Sequence, residues 1–322
     1  MDTLLKITGL SVDLPDRGGP VRVIDDVSFD VPAGTTVGLI GETGSGKTMT
    51  AMAVIGLLPD GAAVSGSIAF GDTDLVTCGP ARLRALRGHE ISMIFQDPMS
   101  SLNPTQRIGH QVGELLRRSG LPRAEVRARV VEMLDRVGIP DPARRARDYP
   151  HEFSGGLRQR AMIAMAMIAH PSLVLADEPT TALDVTVQAR VLGLLRKLQV
   201  EEGSAMLLVS HDLRVMSHVA QDLVVMYAGR VAERGSTRSV LSRPAHPYTR
   251  ALVRSVPAVR TKTAIADPLP GTSAVPAQRP PGCAFHPRCP LATGRCRTEI
   301  PLTREVAPGR WSACHEAEKV LA

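Results

Sequence analysis

A glycine-rich run that ends in lysine and threonine has the clearest chemistry in this chain. Residues 41–48 read GETGSGKT and match the pattern G-x-x-x-x-G-K-[ST] in full. The glycines allow backbone N–H groups to wrap phosphate oxygens, Lys47 can reach the β and γ oxygens, and the Thr48 hydroxyl can bind Mg²⁺. The predicted nucleotide contacts in this loop are Gly41, Glu42, Thr43, Gly44, Ser45, Gly46, Lys47 and Thr48. The loop therefore predicts binding of a nucleoside triphosphate with Mg²⁺.

A second glycine-bearing segment, FSGGLRQ at 153–159, opens an apolar stretch of helical character. It places Ser154, Gly155 and Gly156 where free N–H groups and the helix dipole favour an anion. One chain cannot easily bring both segments to the same phosphate. We therefore expect two such domains to face each other head to tail, each contributing this segment to the nucleotide of the other.

Two adjacent carboxylates, Asp177 and Glu178, end the apolar segment SLVLADE at 172–178. Asp177 is predicted to hold Mg²⁺, and Glu178 is predicted to polarise the attacking water. An Asp-Glu pair at a strand end is more often only a solvated loop. Its position after a phosphate-binding loop favours the catalytic interpretation.

Three other polar residues follow predicted strands or lie near the expected dimer seam. Gln96 can reach Mg²⁺ or the lytic water, His211 can donate to the γ-phosphate, and Asp184 belongs to a loop suited to the seam. Gln96 or His211 alone would be interpreted as an ordinary polar group at a strand end. Their order along the chain favours the functional interpretation.

Alternating strands and helices must position these residues. Apolar runs and helical periodicity predict strands at 36–40, 91–95, 173–176 and 206–209, and helices at 48–58, 123–137, 157–169 and 185–199. The pattern indicates an α/β nucleotide-binding domain at 1–235, with a helical subdomain inserted at about 97–165. Gly229 and Gly235 bracket the strand predicted to be the last. Residues 236–322 form a C-terminal extension that contains a proline-rich linker.

Composition disfavours nucleic acid as a partner. The net charge is +6, but basic residues are spread along the 322 residues, and aromatic residues make up only 3%. No apolar stretch approaches the roughly 20 residues that cross a bilayer. The N-terminus also lacks the charged and apolar blocks of a signal peptide. We expect a cytoplasmic chain whose role at a membrane depends on a partner.

The order of the motifs resembles the ATPases of ABC transporters. Further segments resemble the dipeptide/oligopeptide (peptide/nickel) importer branch, namely FQDPM at 95–99, SLNP at 101–104, TTALDV at 180–185, MYAG at 226–229 and HPYT at 246–249. The resemblance implies an ABC-type P-loop ATPase that binds ATP and Mg²⁺ and powers peptide import by closure of an ATPase dimer. Glu178, His211 and Gln96 are then the catalytic residues, and Thr48, Gln96 and Asp177 serve Mg²⁺.

The resemblance also implies an assembly at the cytoplasmic face of the cell membrane. Its members are a second related ATPase chain, two permease subunits and an extracytoplasmic binding protein. Import of nickel or another solute by the same machinery is an alternative. A soluble ABC-type ATPase is another, but those usually carry two ATPase domains or a long coiled-coil insertion. A third is an iron–sulfur redox sensor with a regulatory ATPase domain.

One departure from the family concerns the adenine. Such ATPases usually place an aromatic residue near the N-terminus to stack on the base, but none precedes Phe29 in this chain. The corresponding stretch offers only Leu14, Val21 and Arg22. The sequence leaves the base contact undefined.

Four of the five cysteines lie in the last 40 residues, with the spacing C-x5-C-x6-C-x17-C. Disulfides are not expected in the cytoplasm, so the spacing suggests a metal site. It lacks the close cysteine pairs of zinc ribbons and the ferredoxin run, and leaves zinc and iron–sulfur open. The resemblance favours a structural 4Fe-4S iron–sulfur cluster, with zinc as the alternative. Its predicted ligands are Cys283, Cys289, Cys296 and Cys314.

Overall fold

The computed structural model describes residues 2–180, 184–255 and 271–321. The chain divides into two compact units. The first unit, hereafter the nucleotide unit, contains residues 1–78 and 208–322, and the second, hereafter the helical unit, contains residues 79–207. The domain boundary at 235 stays a prediction.

The strands of the described residues are listed in chain order. They are β1 (Thr3–Leu14), β2 (Val21–Pro32), β3 (Thr36–Ile40), β4 (Ala63–Phe70), β5 (Thr73–Asp74), β6 (Ile91–Ile94), β7 (Leu173–Asp177), β8 (Ala205–Ser210), β9 (Asp222–Tyr227), β10 (Arg230–Ser236), β11 (Arg304–Ala307) and β12 (Arg310–Ser312).

The helices of the same residues alternate with these strands. They are α1 (Lys47–Ile55), α2 (Gly79–Leu86), α3 (Pro98–Ser101), α4 (Ile108–Val112), α5 (Glu114–Arg118), α6 (Arg123–Arg136), α7 (Pro142–Arg145), α8 (Gly155–Met167), α9 (Val185–Glu202), α10 (Leu213–Val219), α11 (Thr237–Ser242), α12 (Pro247–Ser255), α13 (Gly294–Thr298) and α14 (Ala317–Leu321). Short 3-10 helices lie at Pro150–Glu152, Pro276–Gln278 and His286–Arg288.

The nucleotide unit contains an antiparallel sheet and a second group of strands. The antiparallel sheet has the order β2-β1-β4-β5, and the second group has the order β11-β12-β10-β9-β3. Strands β3 and β9 are parallel, with Ile40 opposite Val225. All five residues of β3 are buried, as expected for a parallel strand covered on both faces. This strand delivers the phosphate-binding loop at its carboxyl end, where ligands bind in α/β folds.

The helical unit contains the parallel pair β6 and β7, with Ile94 opposite Ala176. Both strands are completely buried. Helix α8 contacts β6 and the helices α3, α4, α6 and α9, so it is the central helix of this unit. Its apolar residues pack inside, including Ile163 and Met167.

The C-terminal extension adds two strands to the nucleotide unit. Strand β12 pairs antiparallel with β10, with Ser312 opposite Glu233, and β11 pairs with β12. The Arg310 guanidinium also forms a buried ion pair with Glu233 at 2.7 Å. The prediction that β10 is the last strand is therefore wrong, because the tail hydrogen-bonds to the edge of β10. The linker residues 256–270 lie outside the described part of the chain.

The structure corrects the prediction of a metal site in the tail. Across residues 2–180, 184–255 and 271–321, no group of three or more His, Cys, Asp or Glu side chains is arranged to hold a metal ion. The prediction of a 4Fe-4S cluster at Cys283, Cys289, Cys296 and Cys314 is therefore wrong, and the zinc alternative gains no support.

The cysteine sulfurs have protein partners instead. The Glu316 N–H donates to Cys314 Sγ at 3.4 Å, and Thr293 Oγ1 lies 3.4 Å from Cys296 Sγ. Burial raises the pKa of Cys289 to about 11 and that of Cys314 to about 12, which keeps both thiols protonated at neutral pH. Buried side chains and the pairing of β12 with β10 hold the described part of the tail.

No helix in the described part of the chain is both long enough and apolar enough to span a membrane.

Candidate nucleotide site

The phosphate-binding loop links the end of β3 to the start of α1. Gly44 and Gly46 have φ angles of +78° and +101°, in the left-handed region that favours glycine. A Cβ atom on Gly41 would lie 2.2 Å from the Met226 carbonyl oxygen, so the close packing at this position requires glycine. Thr43 and Gly44 are exposed. The loop thus has the folded, open backbone that can direct N–H groups at phosphate oxygens.

Lys47 is buried at the start of α1, with 5% of its surface exposed. Its Nζ donates to the carbonyl oxygens of Gly41 and Glu42 at 2.9 and 3.0 Å. The ammonium therefore lies across the loop, as required of the lysine that reaches β and γ oxygens. Thr48 is the next residue of the same helix. These residues fit a nucleotide with Mg²⁺.

Glu42 makes contacts that the sequence does not predict. The Arg288 guanidinium pairs with both of its carboxylate oxygens, at 2.7 and 3.0 Å. The Glu42 N–H donates to the Tyr248 hydroxyl at 2.8 Å. Tyr248 and Arg288 lie 206 and 246 positions from Glu42, so no local sequence pattern connects them with it. The one sequence signal for these contacts is the HPYT segment, which contains Tyr248 but does not indicate what this residue does.

The three candidates for the adenine contact lie on the β1–β2 hairpin. Leu14 pairs with Val21 at the end of the hairpin, and Arg22 follows on β2. The Arg22 guanidinium forms two hydrogen bonds with the Asp13 carboxylate, each 2.9 Å long. This bond and the charge of Arg22 lower the pKa of Asp13. The hairpin therefore presents aliphatic and ion-paired side chains rather than an aromatic ring.

The carboxylates of the helical unit lie at the end of β7. Asp177 is the last residue of the strand and is 3% exposed. Glu178 follows with a φ of +44°, a conformation that non-glycine residues rarely adopt. Gln96 Nε2 donates to Glu178 Oε2 at 3.2 Å. The structure therefore brings Gln96 and the predicted catalytic carboxylate together.

The segment predicted to bind a partner's phosphate caps α8. Ser154 is the N-cap residue, and its Oγ accepts a hydrogen bond from the Leu157 N–H at 3.4 Å. Ser154 and Gly155 are exposed, and a Cβ atom on Gly155 would have no neighbour within 4 Å. The N-terminus of a 13-residue helix is therefore open to an anion.

Asp184 and His211 lie at two further element boundaries. Asp184 is exposed, and its Oδ1 accepts from the Val187 N–H at 3.0 Å in the first turn of α9. The neighbouring loop residues 181–183 lie outside the described residues. His211 is exposed and follows β8, directly before Asp212, which caps α10. The phosphate-binding loop and His211 belong to the nucleotide unit. The helical unit contains Gln96, Ser154, Gly155, Gly156, Asp177, Glu178 and Asp184.

Two family profiles match the chain. The profile described as ABC transporter matches residues 24–181. The profile described as oligopeptide/dipeptide transporter, C-terminal region, matches residues 232–296. The first covers the phosphate-binding loop, the Ser-Gly-Gly segment and both carboxylates, and the second covers most of the tail cysteines.

Curated relatives match almost the whole chain. The dipeptide transport ATP-binding protein DppD of Escherichia coli (strain K12) is 44% identical over 314 residues, which cover 97% of this chain and 96% of that protein. A Brucella abortus (strain 2308) protein named for peptide import and ATP binding is 45% identical over 313 residues, covering 97% of this chain and 94% of that protein.

Solved structures share the fold. The ATP-binding cassette MJ0796, in a dimeric post-hydrolysis state with ADP and Pi, matches with a TM-score of 0.65 and 25% identity. The match covers 73% of this chain and 99% of the MJ0796 chain. CbiO1 of Clostridium perfringens, part of the transporter complex cbiONQ, matches with the same TM-score and identity over 75% of this chain and 92% of that one.

Proposed function

Since this chain belongs to the peptide-importer branch of the ABC transporter ATP-binding proteins, we propose that its ATPase activity powers the uptake of di- and oligopeptides. The observation that carries the ATPase assignment is the phosphate-binding loop, with left-handed Gly44 and Gly46 and a buried Lys47. The transported class follows from the names of the relatives and from the profile of the C-terminal region. Selectivity for individual solutes belongs to other subunits of such importers.

The proposed reaction is ATP hydrolysis by an activated water. Lys47 and the loop N–H groups would hold the phosphates, and Thr48 and Asp177 would hold Mg²⁺, which would supply positive charge to the phosphate oxygens. Glu178 orients and polarises the water, and His211 donates to the γ-phosphate. The hydrogen bond from Gln96 supports the role of Glu178, because it helps to fix the position of the carboxylate.

We further propose that the chain works in a head-to-tail pair with a second, related ATPase chain. The open N-terminus of α8 supports this arrangement, because Ser154 and the N–H groups of Gly155 and Gly156 are available to a phosphate held by another chain. The exposed Asp184 is assigned to the seam. In a heterodimer, each nucleotide then depends on residues of both chains.

The permease partners bind, in this proposal, to the part of the helical unit between Gln96 and Arg147. Helix α3 begins two residues after Gln96, so a surface on this helix is connected to the catalytic carboxylate. A cleft of about 390 Å³ lies between α4, α6 and α7. Apolar Val126 and Val130 line it together with several arginines, which suits a short amphipathic segment. In this proposal the chain works at the cytoplasmic face of the membrane, and an extracytoplasmic binding protein delivers the peptide to the permeases.

A complementation experiment tests the proposed function. Cells that lack this gene and other peptide importers are grown with a dipeptide as the sole source of a required amino acid. The wild-type gene restores growth, whereas Lys47→Ala does not, because nucleotide binding is lost. Growth that is restored equally by both genes, or by neither, contradicts the proposal. Growth on the free amino acid controls for general fitness.

A further inference from the structure

The C-terminal extension contacts the phosphate-binding loop at its first variable residue. The pairing of Glu42 with Arg288 is bidentate, and only 5% of the Arg288 side chain is exposed. A planar guanidinium that meets both oxygens of a carboxylate fixes the orientation as well as the distance. A side chain from the end of the protein therefore fixes a residue of the nucleotide loop.

An aromatic cluster holds Arg288 in place. Its guanidinium carbon lies 5.9 Å from the ring centre of Tyr227 and 5.8 Å from that of Phe285, and Nη1 is 3.3 Å from the Tyr227 hydroxyl. The Tyr248 ring is fully buried against both rings, at centroid distances of 4.6 and 5.4 Å. The contacts within this cluster of Tyr227, Tyr248, Phe285 and Arg288 hold the arginine side chain in a single position.

The extension reaches the loop at two more places. Val275 Cγ1 lies 3.8 Å from the position that a Cβ atom on Gly44 would take. The Gly229 N–H donates to the Ser45 carbonyl at 2.9 Å, and Arg279 Nε donates to the adjoining Ala228 carbonyl at 2.6 Å. Contacts from the extension thus follow the loop from Glu42 to Ser45, directly or through one turn.

We infer that Arg288 and Tyr248 are positioning residues for the phosphate-binding loop, so that nucleotide affinity depends on the C-terminal extension. This inference rests on the proposed ATPase function. Holding the loop in its binding conformation before the nucleotide arrives lowers the entropy lost on binding. Arg288 also neutralises the Glu42 carboxylate, which otherwise places a negative charge in the loop that must accept phosphates.

The two effects predict an unusual pattern among variants. Arg288→Gln leaves an unpaired carboxylate beside the phosphates and should raise the Kd for MgATP by about tenfold or more. Adding Glu42→Gln removes that carboxylate and should recover part of the affinity. If Arg288 acted only by stabilising the fold, this pattern of loss and recovery would appear in the Tm and not in the Kd. Tyr248→Phe should raise the Kd without changing charge, since the Glu42 N–H loses its acceptor.

A titration of the full-length chain with a fluorescent ATP analogue and Mg²⁺ tests the inference, with thermal unfolding measured in parallel. Arg310→Gln is the matched control, because Arg310 lies in the same extension and its replacement breaks a buried ion pair with Glu233. We expect it to lower Tm and to leave the Kd within about twofold of wild type. Arg288→Lys keeps the charge but loses the bidentate pairing, and serves if Arg288→Gln does not fold. Its expected Kd lies between those of wild type and Arg288→Gln.

Unchanged Kd values in folded Arg288→Lys and Tyr248→Phe overturn the inference and leave the ATPase assignment intact. An Arg310→Gln Kd that rises as much as that of the Arg288 variants also overturns it, because general destabilisation then explains the effect. A wild-type chain that binds no MgATP overturns the proposed ATPase function and this inference together.

Discussion

Gln96 Nε2 donates a hydrogen bond to Glu178 Oε2 at 3.2 Å, joining residues 82 positions apart in sequence. The pairing of β6 with β7 explains it, because Ile94 lies opposite Ala176 and each polar residue stands two positions further on. The carboxyl ends of parallel strands share one edge of a sheet. Since α3 begins just after Gln96, this bond connects the predicted catalytic carboxylate with the start of the inserted helices.

Replacing Glu178 with Gln should abolish turnover but not binding. The amide keeps a similar shape but loses the charge that polarises water, so hydrolysis in the assembled importer should fall about 10²-fold or more. The MgATP Kd should stay close to that of wild type. Steady-state ATPase assays and nucleotide titrations measure the two effects separately. Normal turnover by Glu178→Gln means that another group acts on the water.

Ser154→Ala should separate the two roles of the α8 N-terminus. Loss of the cap should lower the free energy of unfolding by about 1 kcal/mol. Loss of the phosphate contact should also reduce ATPase activity of the assembled pair by at least about tenfold. Ser236→Ala is the matched control, because Ser236 caps α11 in the same way, with its Oγ accepting from the Ser239 N–H at 3.3 Å.

The ATPase rates and unfolding curves of both serine variants distinguish these effects. Equal losses of activity for Ser154→Ala and Ser236→Ala reduce the role of Ser154 to helix capping.

A cysteine at Ser100 should crosslink to a permease. Ser100 is exposed on α3, next to Met99, which has 60% of its surface exposed. A short bifunctional reagent applied to the assembled importer should therefore join this position to a permease subunit, as identified by mass spectrometry. Ser217→Cys, on the exposed side of α10, is the control and should give no permease product. Crosslinks from position 100 only to the second ATPase chain speak against the proposed surface.

The elements that carry the site were predictable from local sequence, whereas the contacts of the tail with the phosphate-binding loop were not. Strand β3 matches its prediction because five consecutive residues are buried on both faces, and the glycine spacing of the loop is a local property. Arg288 and Glu42 lie 246 positions apart and come together only in the folded chain, and no residue pattern near either one indicates the contact. The metal site predicted from the four cysteines is wrong because spacing along the chain does not determine what surrounds the sulfurs in the fold. Their spacing resembles a metal site, but the described structure gives their sulfurs other surroundings.

The fully buried His246 predicts a loss of stability in mild acid. Burial lowers the pKa of His246 to about 4, although a hydrogen bond with the Ala313 backbone opposes the shift. The Tyr248 N–H donates to Nδ1 at 3.0 Å, so protonation at that nitrogen breaks a bond. Between pH 6.5 and about 4 the unfolded chain binds the proton and the folded chain does not. The free energy of unfolding should therefore decrease as pH falls through this range.

Denaturant unfolding at several pH values measures this effect. His246→Gln should flatten the pH dependence, whereas the exposed His89→Gln should leave it as in wild type. Identical slopes for all three proteins show that His246 is not the group responsible.

ATP-driven peptide uptake by a reconstituted importer tests the central claim most directly. Proteoliposomes contain the two permeases, the second ATPase chain and this chain, and receive the binding protein and a radiolabelled dipeptide on the opposite side. With wild-type protein and MgATP we expect labelled peptide to accumulate in step with phosphate release, and with Glu178→Gln we expect neither. Phosphate release without any peptide movement, or equal uptake with Glu178→Gln, contradicts the account.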